Sequence, residues 1–286
     1  LRYFRFASRL TPIGASAISA QMVEPSAPIL IFDSGVGGLT VLASVRKLLP
    51  DAPVIYVADT AALPYGEKSE AEIAARVCGL LGRLAERYHP RLICIACNTA
   101  STIALGMVRD VLETPVVGTV PAIKPAAELS KTGVIGLLGT QATIRQAYVD
   151  NLEAEFARGK TLLRFAAPEL VGAAEDKLRG RSPDPAIFAR AAAGLRSQPG
   201  GENIDTVVLA CTHFPLLTEE LGAAFGGQVQ FVDGAQGIAH RIAYLTQGQS
   251  FDRQTDDFAI VTGNDQGNSS LLEAFRHYGI GRILRL

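Results

Sequence analysis

Short apolar runs recur along this chain, and each breaks at a small or polar turn that leads into a helical stretch. Ile29-Leu30-Ile31-Phe32 runs into Asp33-Ser34-Gly35-Val36-Gly37-Gly38 and then a helix from about Leu39 to Leu48. Val54 to Ala58 is a second strand, followed by a loop carrying Pro64-Tyr65-Gly66. Ser69 with Glu72 forms a capping box at the head of a long helix ending near Tyr88. A strand to Cys97, a helix after Asn98 and a short strand at Val116-Val117 follow. Strands alternating with helices in this way build α/β folds with mostly parallel sheets.

Around Val120 to Pro125 the pattern restarts. Val134 to Thr140 is again a strand into a Gly and hydroxyl turn, with a helix from about Thr143. Residues 161–165 read as a strand and 168–180 as a helix. The Gln198-Pro199-Gly200-Gly201 cluster is a loop. A strand then ends in Ala210-Cys211, with a helix expected from about Pro215. Asp33 and Cys97 are 64 positions apart, and Thr140 and Cys211 are 71 apart. That near-match points to a repeated α/β unit. Residues 28–120 with 234–286 are expected to form one domain, and 121–233 the other.

Cys97 and Cys211 carry the chemical signal. Each follows an apolar run ending in Ala-Cys and precedes a small polar residue, Asn98 or Thr212. Strand ends are where open α/β sheets place their chemistry. A helix N-terminus there would lower a thiol pKa and raise its thiolate fraction. His213 stands two residues beyond Cys211, where it could hold or relay a proton. Asn98, Thr99 and Thr212 supply hydrogen-bonding groups suited to a small zwitterion with a carboxylate. Cys78, within a helix, and Cys94, within a strand, read as small buried hydrophobes. Cys94 and Cys97 form Cys-x-x-Cys, but Cys94 lies late in an apolar strand and should point inward, against a redox motif. No metal site is expected, because the three or four closely spaced ligands one needs are missing.

Glycines in the Asp33–Gly38 turn would let backbone N–H groups approach an anion at a helix N-terminus. The plainer use of that turn is a tight bend with Asp33 as helix cap. Its spacing is not the dinucleotide fingerprint, and Gly66-Glu67-Lys68-Ser69 is not a phosphate loop.

The 286 residues allow two domains of ordinary size, and 48% apolar content supplies their cores. A net charge of -1 argues against nucleic-acid binding, and no apolar run approaches the length of a membrane span. Four cysteines in so long a chain suit reduced thiols in a cytoplasmic enzyme rather than a disulfide framework. Leu1 to Gln21 holds Arg2, Arg5 and Arg9 and no acidic residue, a composition shared by targeting segments. With Met22 shortly before the first strand, the expectation is a natural start at Met22. Residues 1–27 would then be a disordered extension or a translation-start artefact.

An ordered set of motifs resembles the aspartate/glutamate racemase family, and within it the bacterial glutamate racemases. The set comprises Phe32-Asp33-Ser34-Gly35-Val36-Gly37-Gly38-Leu39, Leu63-Pro64-Tyr65-Gly66-Glu67-Lys68-Ser69, Ala96-Cys97-Asn98-Thr99-Ala100-Ser101-Thr102 and Val116-Val117-Gly118 through Ala126. It continues with Gly136–Thr140, Ala210-Cys211-Thr212-His213-Phe214-Pro215-Leu216-Leu217 and Val232-Asp233. The resemblance spans roughly Ile29 to Ala239 and is weak over the last forty or so residues. It implies two pseudo-symmetric, doubly wound α/β domains with the active site in the cleft between them. It implies cofactor-independent interconversion of L- and D-glutamate, supplying D-glutamate for peptidoglycan.

By the same resemblance Cys97 and Cys211 would be the two acid/base thiols. Asp33-Ser34, Tyr65-Gly66, Asn98-Thr99 and Thr212-His213 would contact substrate. An acidic residue on the helix after the Ala-Pro turn corresponds to Glu175, seven residues past Pro168; the Cys usual before that Pro is Ala167 here. A cell-wall precursor as activator and a homodimer also go with this family.

Such a reaction takes the α-proton from one face and returns one to the other, so two bases in opposite protonation states are expected. Without an electron-sink cofactor, the carbanion-like transition state would be stabilised by Asn98, Thr99, Thr212 and backbone N–H groups around Ser34 to Gly37. Asp33 is assigned to the Cys97 side and His213 to the Cys211 side. Aspartate or hydantoin racemases share the two-cysteine plan and are the nearest rivals. A non-catalytic cleft binder would have no need of paired thiols. Pyridoxal phosphate would need a Schiff-base lysine, which neither cysteine motif contains.

Overall fold

The computed structural model describes residues 23–263 and 268–286. The expected natural start at Met22, and most of the expected N-terminal extension, lie outside the described residues. The chain runs β1 (Ile29–Asp33), α1 (Leu39–Leu48), β2 (Val54–Ala58), α2 (Glu70–Tyr88), β3 (Leu92–Ile95), α3 (Asn98–Val111) and β4 (Val116–Gly118). It continues through α4 (Ile123–Leu129), β5 (Val134–Gly139), α5 (Gln141–Ile144), α6 (Ala147–Phe156), β6 (Thr161–Ala166), α7 (Glu169–Leu178), α8 (Pro185–Arg196), β7 (Thr206–Ala210), α9 (Thr218–Ala224) and β8 (Gln230–Val232). It ends in α10 (Ala235–Leu245), β9 (Phe258–Val261), α11 (Asn268–His277) and β10 (Arg282–Arg285).

Two sheets result, and their described strand pairs are all parallel. The larger has the order β10-β9-β2-β1-β3-β4 and the smaller β6-β5-β7-β8. Apolar strands of this kind are buried on both faces. Successive β1 residues divide between two cores: Ile29 and Ile31 join Leu42 and Val45 of α1 and Ile238 of α10, while Leu30 and Phe32 join Ile73 and Val77 of α2. In the smaller sheet Leu137 and Leu138 likewise face opposite cores.

The order of strands decides where a site can form. From β1 the chain steps to β2 on one side, then crosses to β3 on the other. From β5 it steps to β6, then crosses to β7. Each sheet therefore has a crevice at the carboxyl ends of its two central strands, the place where such sheets bind ligands. Phe32 pairs with Ile95, so Ser34 and Cys97 emerge side by side beyond the last pairs. Gly139 pairs with Ala210, so Thr140 and Cys211 emerge the same way. The β2-β1-β3-β4 block and the whole smaller sheet repeat one topology, and the last two strands extend the first sheet only.

Two helix starts differ from expectation. The helix placed from about Thr143 is two helices. The Thr140 hydroxyl accepts the Thr143 N–H and starts α5 at Gln141, and extended backbone at Gln146 interrupts the helix before α6. The helix placed from about Pro215 is a 3₁₀ turn, Phe214–Leu217, with α9 beginning at Thr218. Pro215 lacks an N–H, and the turn instead closes through i→i+3 bonds such as Leu216 N–H to His213 O at 3.2 Å.

The capping box at α2 is present in full: Ser69 Oγ accepts the Glu72 N–H and the Glu72 carboxylate accepts the Ser69 N–H. Replacing Ser69 with Ala should cost about 1 kcal/mol of stability, read as a shift of the urea midpoint at unchanged slope; an unchanged midpoint would show that the cap adds nothing.

Candidate active site

The carboxyl ends of the two sheets face each other across a small cavity. Ser34, Tyr65, Gly66, Cys97, Asn98, Thr99, Cys211, Thr212 and His213 all line it. Both thiols are buried, Cys97 at 5% and Cys211 at 7% exposure. The enclosed volume is about 30 Å³, room for a water or two. Asp33 and Glu175 do not line the cavity; they stand behind residues that do.

On the Cys97 side, β3 ends at Ile95 and Cys97 is the N-cap of α3. The Ser34 hydroxyl is 3.5 Å from the Cys97 sulfur. Asp33 is fully buried. One of its oxygens accepts the Ser34 N–H at 2.8 Å and the other accepts the Gly38 N–H at 2.6 Å. Burial raises the Asp33 pKa, partly opposed by the His213 charge and those two N–H groups. Burial, and then the Asp33 charge, push the Cys97 thiol far up. The expected lowering by the helix terminus is thus outweighed, because leaving water costs the thiolate more than the first turn of α3 returns. Cys94 belongs to the core on the opposite face of the sheet from Cys97.

The Cys211 side is built differently. Cys211 precedes a 3₁₀ turn rather than an α-helix, and its neighbour is a buried ion pair. His213 Nδ1 lies 3.9 Å from the Cys211 sulfur, and His213 Nε2 lies 3.0 Å from Glu175 Oε1. Glu175 reaches this point from α7, and its other oxygen is 3.2 Å from Arg179 one turn on. Burial opposes the charge on His213, yet the Cys211 sulfur and the Glu175 carboxylate hold its pKa well above the ordinary imidazole value. Burial likewise opposes the charge on Glu175, but His213, Arg179 and the Val36 N–H bring its pKa below the ordinary one.

The glycine-rich turn after β1 joins the two sides. The Val36 N–H donates to Glu175 Oε1 at 3.2 Å. A Cβ on Gly35 would meet that same oxygen at 2.6 Å, and one on Gly37 would meet the His213 ring at 2.5 Å. These glycines do admit an anion, but it is the protein's own carboxylate. The expectation that N–H groups from Ser34 to Gly37 face a substrate is corrected for two of them: those of Ser34 and Val36 are committed to Asp33 and Glu175.

Two further groups were not singled out from the sequence. Thr140 and Thr143, in the second half, hydrogen-bond with Thr99 at 3.1 and 3.3 Å and with each other at 3.0 Å. The repeat marks Thr140 only as a strand-end turn; since it follows β5 as Ser34 follows β1, the same signal could have placed it in the site. Pro168 and Val171 close the cavity from α7. The buried side-chain oxygen of Asn98 has no hydrogen-bond partner among the described residues. Such an atom at a cavity wall is costly unless something arrives to meet it.

The arrangement therefore offers two thiols on opposite walls, a buried cation beside one and a buried carboxylate beside the other, with hydroxyls and an amide between. Residues 40–242 match the Asp/Glu/Hydantoin racemase family. The chain is 61% identical over 260 residues to the glutamate racemase of Sphingopyxis alaskensis, covering 91% of this chain and 97% of that protein. It is 41% identical over 282 residues to the glutamate racemase of Salmonella typhimurium, covering 98% and 99%. It superposes with a TM-score of 0.86 on the Escherichia coli glutamate racemase solved with L-glutamate and the activator UDP-MurNAc-Ala, at 40% identity over 92% of this chain and 98% of that one. With that fold, these paired thiols and such relatives across its length, the chain belongs to the Asp/Glu/Hydantoin racemase family.

Proposed function

We propose that this protein interconverts L- and D-glutamate by passing the α-proton between Cys97 and Cys211, supplying D-glutamate for peptidoglycan. The observation that carries this reading is the opposition of the two thiols across one cavity, each at the switch point of its own sheet. A side chain on one wall reaches one face of a bound α-carbon. Two walls give one base for each face.

In one direction a thiolate removes the α-proton and the opposite thiol delivers its own; the reverse reaction exchanges these roles. Burial and the Asp33 charge push the Cys97 thiol up, which equips it as the proton donor. His213 Nδ1, 3.9 Å from the Cys211 sulfur, is placed to exchange a proton with it. Asn98, Thr99, Thr140 and Thr212 would hold the substrate carboxylates and the charge that develops as the α-proton leaves. The cavity is narrow, with room for a water or two, and its lining would hold a bound substrate largely away from solvent. A cell-wall precursor as activator, a homodimer and a cytoplasmic location belong to the same reading. Among the described residues no helix is long and apolar enough to cross a membrane.

The test is Cα proton exchange of L- and D-glutamate in heavy water, followed by NMR and circular dichroism without added cofactor. Inversion with deuterium at Cα is the expected result; turnover of aspartate or a hydantoin instead would move the substrate assignment. Cys97→Ala and Cys211→Ala should each lower racemisation by about a hundredfold or more, while Cys→Ser at either position should leave Cα exchange in one direction only. Near-normal turnover in either Ala variant would rule out the two-thiol route.

The ion pair predicts a pH signature. His213 has a folded pKa above its ordinary one, so its stabilising share is present below about 6.5 and is lost as pH rises through the raised value. Glu175 has a lowered pKa, so its share is present above about 4.5 and is lost as pH falls through the lowered value. The pair is intact across neutral pH. Glu175→Gln should move the His213 titration down toward the ordinary imidazole range, measured by imidazole ¹⁵N NMR; an unmoved midpoint would show that Glu175 does not hold that proton.

A further inference from the structure

Five consecutive residues, Leu63 to Glu67, form one wall of the cavity. They lie in a stretch between β2 and α2 with only two short 3₁₀ turns, Thr60–Ala62 and Tyr65–Glu67. A loop at an active-site wall needs an anchor, and this one has Asp59. Its carboxylate is fully buried and accepts from three directions. The Tyr65 hydroxyl donates at 2.5 Å, and Arg76 of α2 donates through Nε and Nη2 at 2.5 and 2.6 Å. The Thr262 hydroxyl, just past β9, donates at 2.5 Å. The Asp59 N–H also donates to Asp33 O at 2.9 Å, tying the anchor to the end of β1.

A buried carboxylate is tolerated only when its lone pairs are met, and a two-pronged guanidinium meets them best. Tyr65 is 2% exposed, and its ring packs in the core with Phe32 and Ile73. Burial and the neighbouring Asp59 push its phenol far up, so it stays a donor. With its hydroxyl spent on Asp59, Tyr65 has only its ring and backbone left for the cavity. Tolerance for error in the loop is small: a Cβ on Gly66 would stand 3.0 Å from Thr140 Cβ across the cleft.

We propose that Asp59 is a positioning residue, which through Tyr65 fixes the Leu63–Glu67 wall at the distance from Thr140 that the substrate requires. This rests on the glutamate racemase reading. Asp59 touches no reacting atom, so its loss weakens the ground state and the transition state alike. That pattern raises KM with kcat largely kept.

The experiment compares wild type, Asp59→Asn and Tyr65→Phe for L- and D-glutamate racemisation, with hydrogen exchange of the peptide covering residues 60–68. Asp59→Asn should raise KM about tenfold in both directions with kcat changed less than about threefold, the signature of lost uniform binding. Exchange should rise in that peptide while β1 and β3 stay protected. Tyr65→Phe keeps the Asp59–Arg76 pair and should raise KM severalfold. A folded Asp59→Asn with unchanged KM and loop protection overturns the proposal, as does faster exchange spread evenly over all strands. If Asp59→Asn does not fold, Tyr65→Phe decides, and an unchanged KM overturns it. Failure of the wild type to act on glutamate would instead sink the activity reading, a result independent of these variants.

Discussion

The contact between the glycine turn after β1 and the His213–Glu175 pair is the constraint on which the site depends. It is where backbone of the first half meets charged side chains of the second. With no side chain at Gly35 or Gly37, the Val36 N–H comes within hydrogen-bond reach of Glu175, and His213 packs against the turn itself. That approach sets the spacing of the two sheet ends, and so of the two thiols. It also shields a buried ion pair from water, which is what makes the pair strong enough to hold an imidazole proton.

The thiols look alike in their local sequences and differ in their surroundings. Cys97 caps a true α-helix, yet burial and a buried Asp33 keep it neutral. Cys211 has no α-helix directly behind it, and its charge partner is an imidazolium backed by Glu175 and then Arg179. A reversible two-base reaction needs one protonated and one deprotonated partner at each turnover. The two thiols have different neighbours: Asp33 stands behind Cys97 through Ser34, and His213 lies beside Cys211.

Much of the polar lining is hydroxyl and amide: Thr99 and Thr140 bond to each other and to Thr143 behind them, while Asn98 keeps an unmet oxygen. Hydroxyls that bond among themselves can turn outward to a carboxylate at little cost, since each is both donor and acceptor. The charges that shape the cavity, Asp33, Asp59 and Glu175, stand one layer back. Each is buried and hydrogen-bonded, so each acts on the cavity through a neighbour: Ser34, Tyr65 or His213.

Much of this was legible in the chain. Apolar runs ending in small residues located most strands, and Ser69 with Glu72 announced a helix start, because these signals depend on neighbours in sequence. The paired Ala-Cys motifs marked both thiols for the same reason. The sequence could not reveal that the Val36 N–H is spent on the protein's own carboxylate, because Glu175 lies 139 residues away. Nor could it reveal that Thr140 joins Thr99 or that Asp59 anchors Tyr65 together with Thr262. Local pattern determined the elements and the order in which they come. Only the tertiary structure decided which N–H groups were already taken, which thiol lies beside a cation and how much water reaches either, because desolvation and charge act through space.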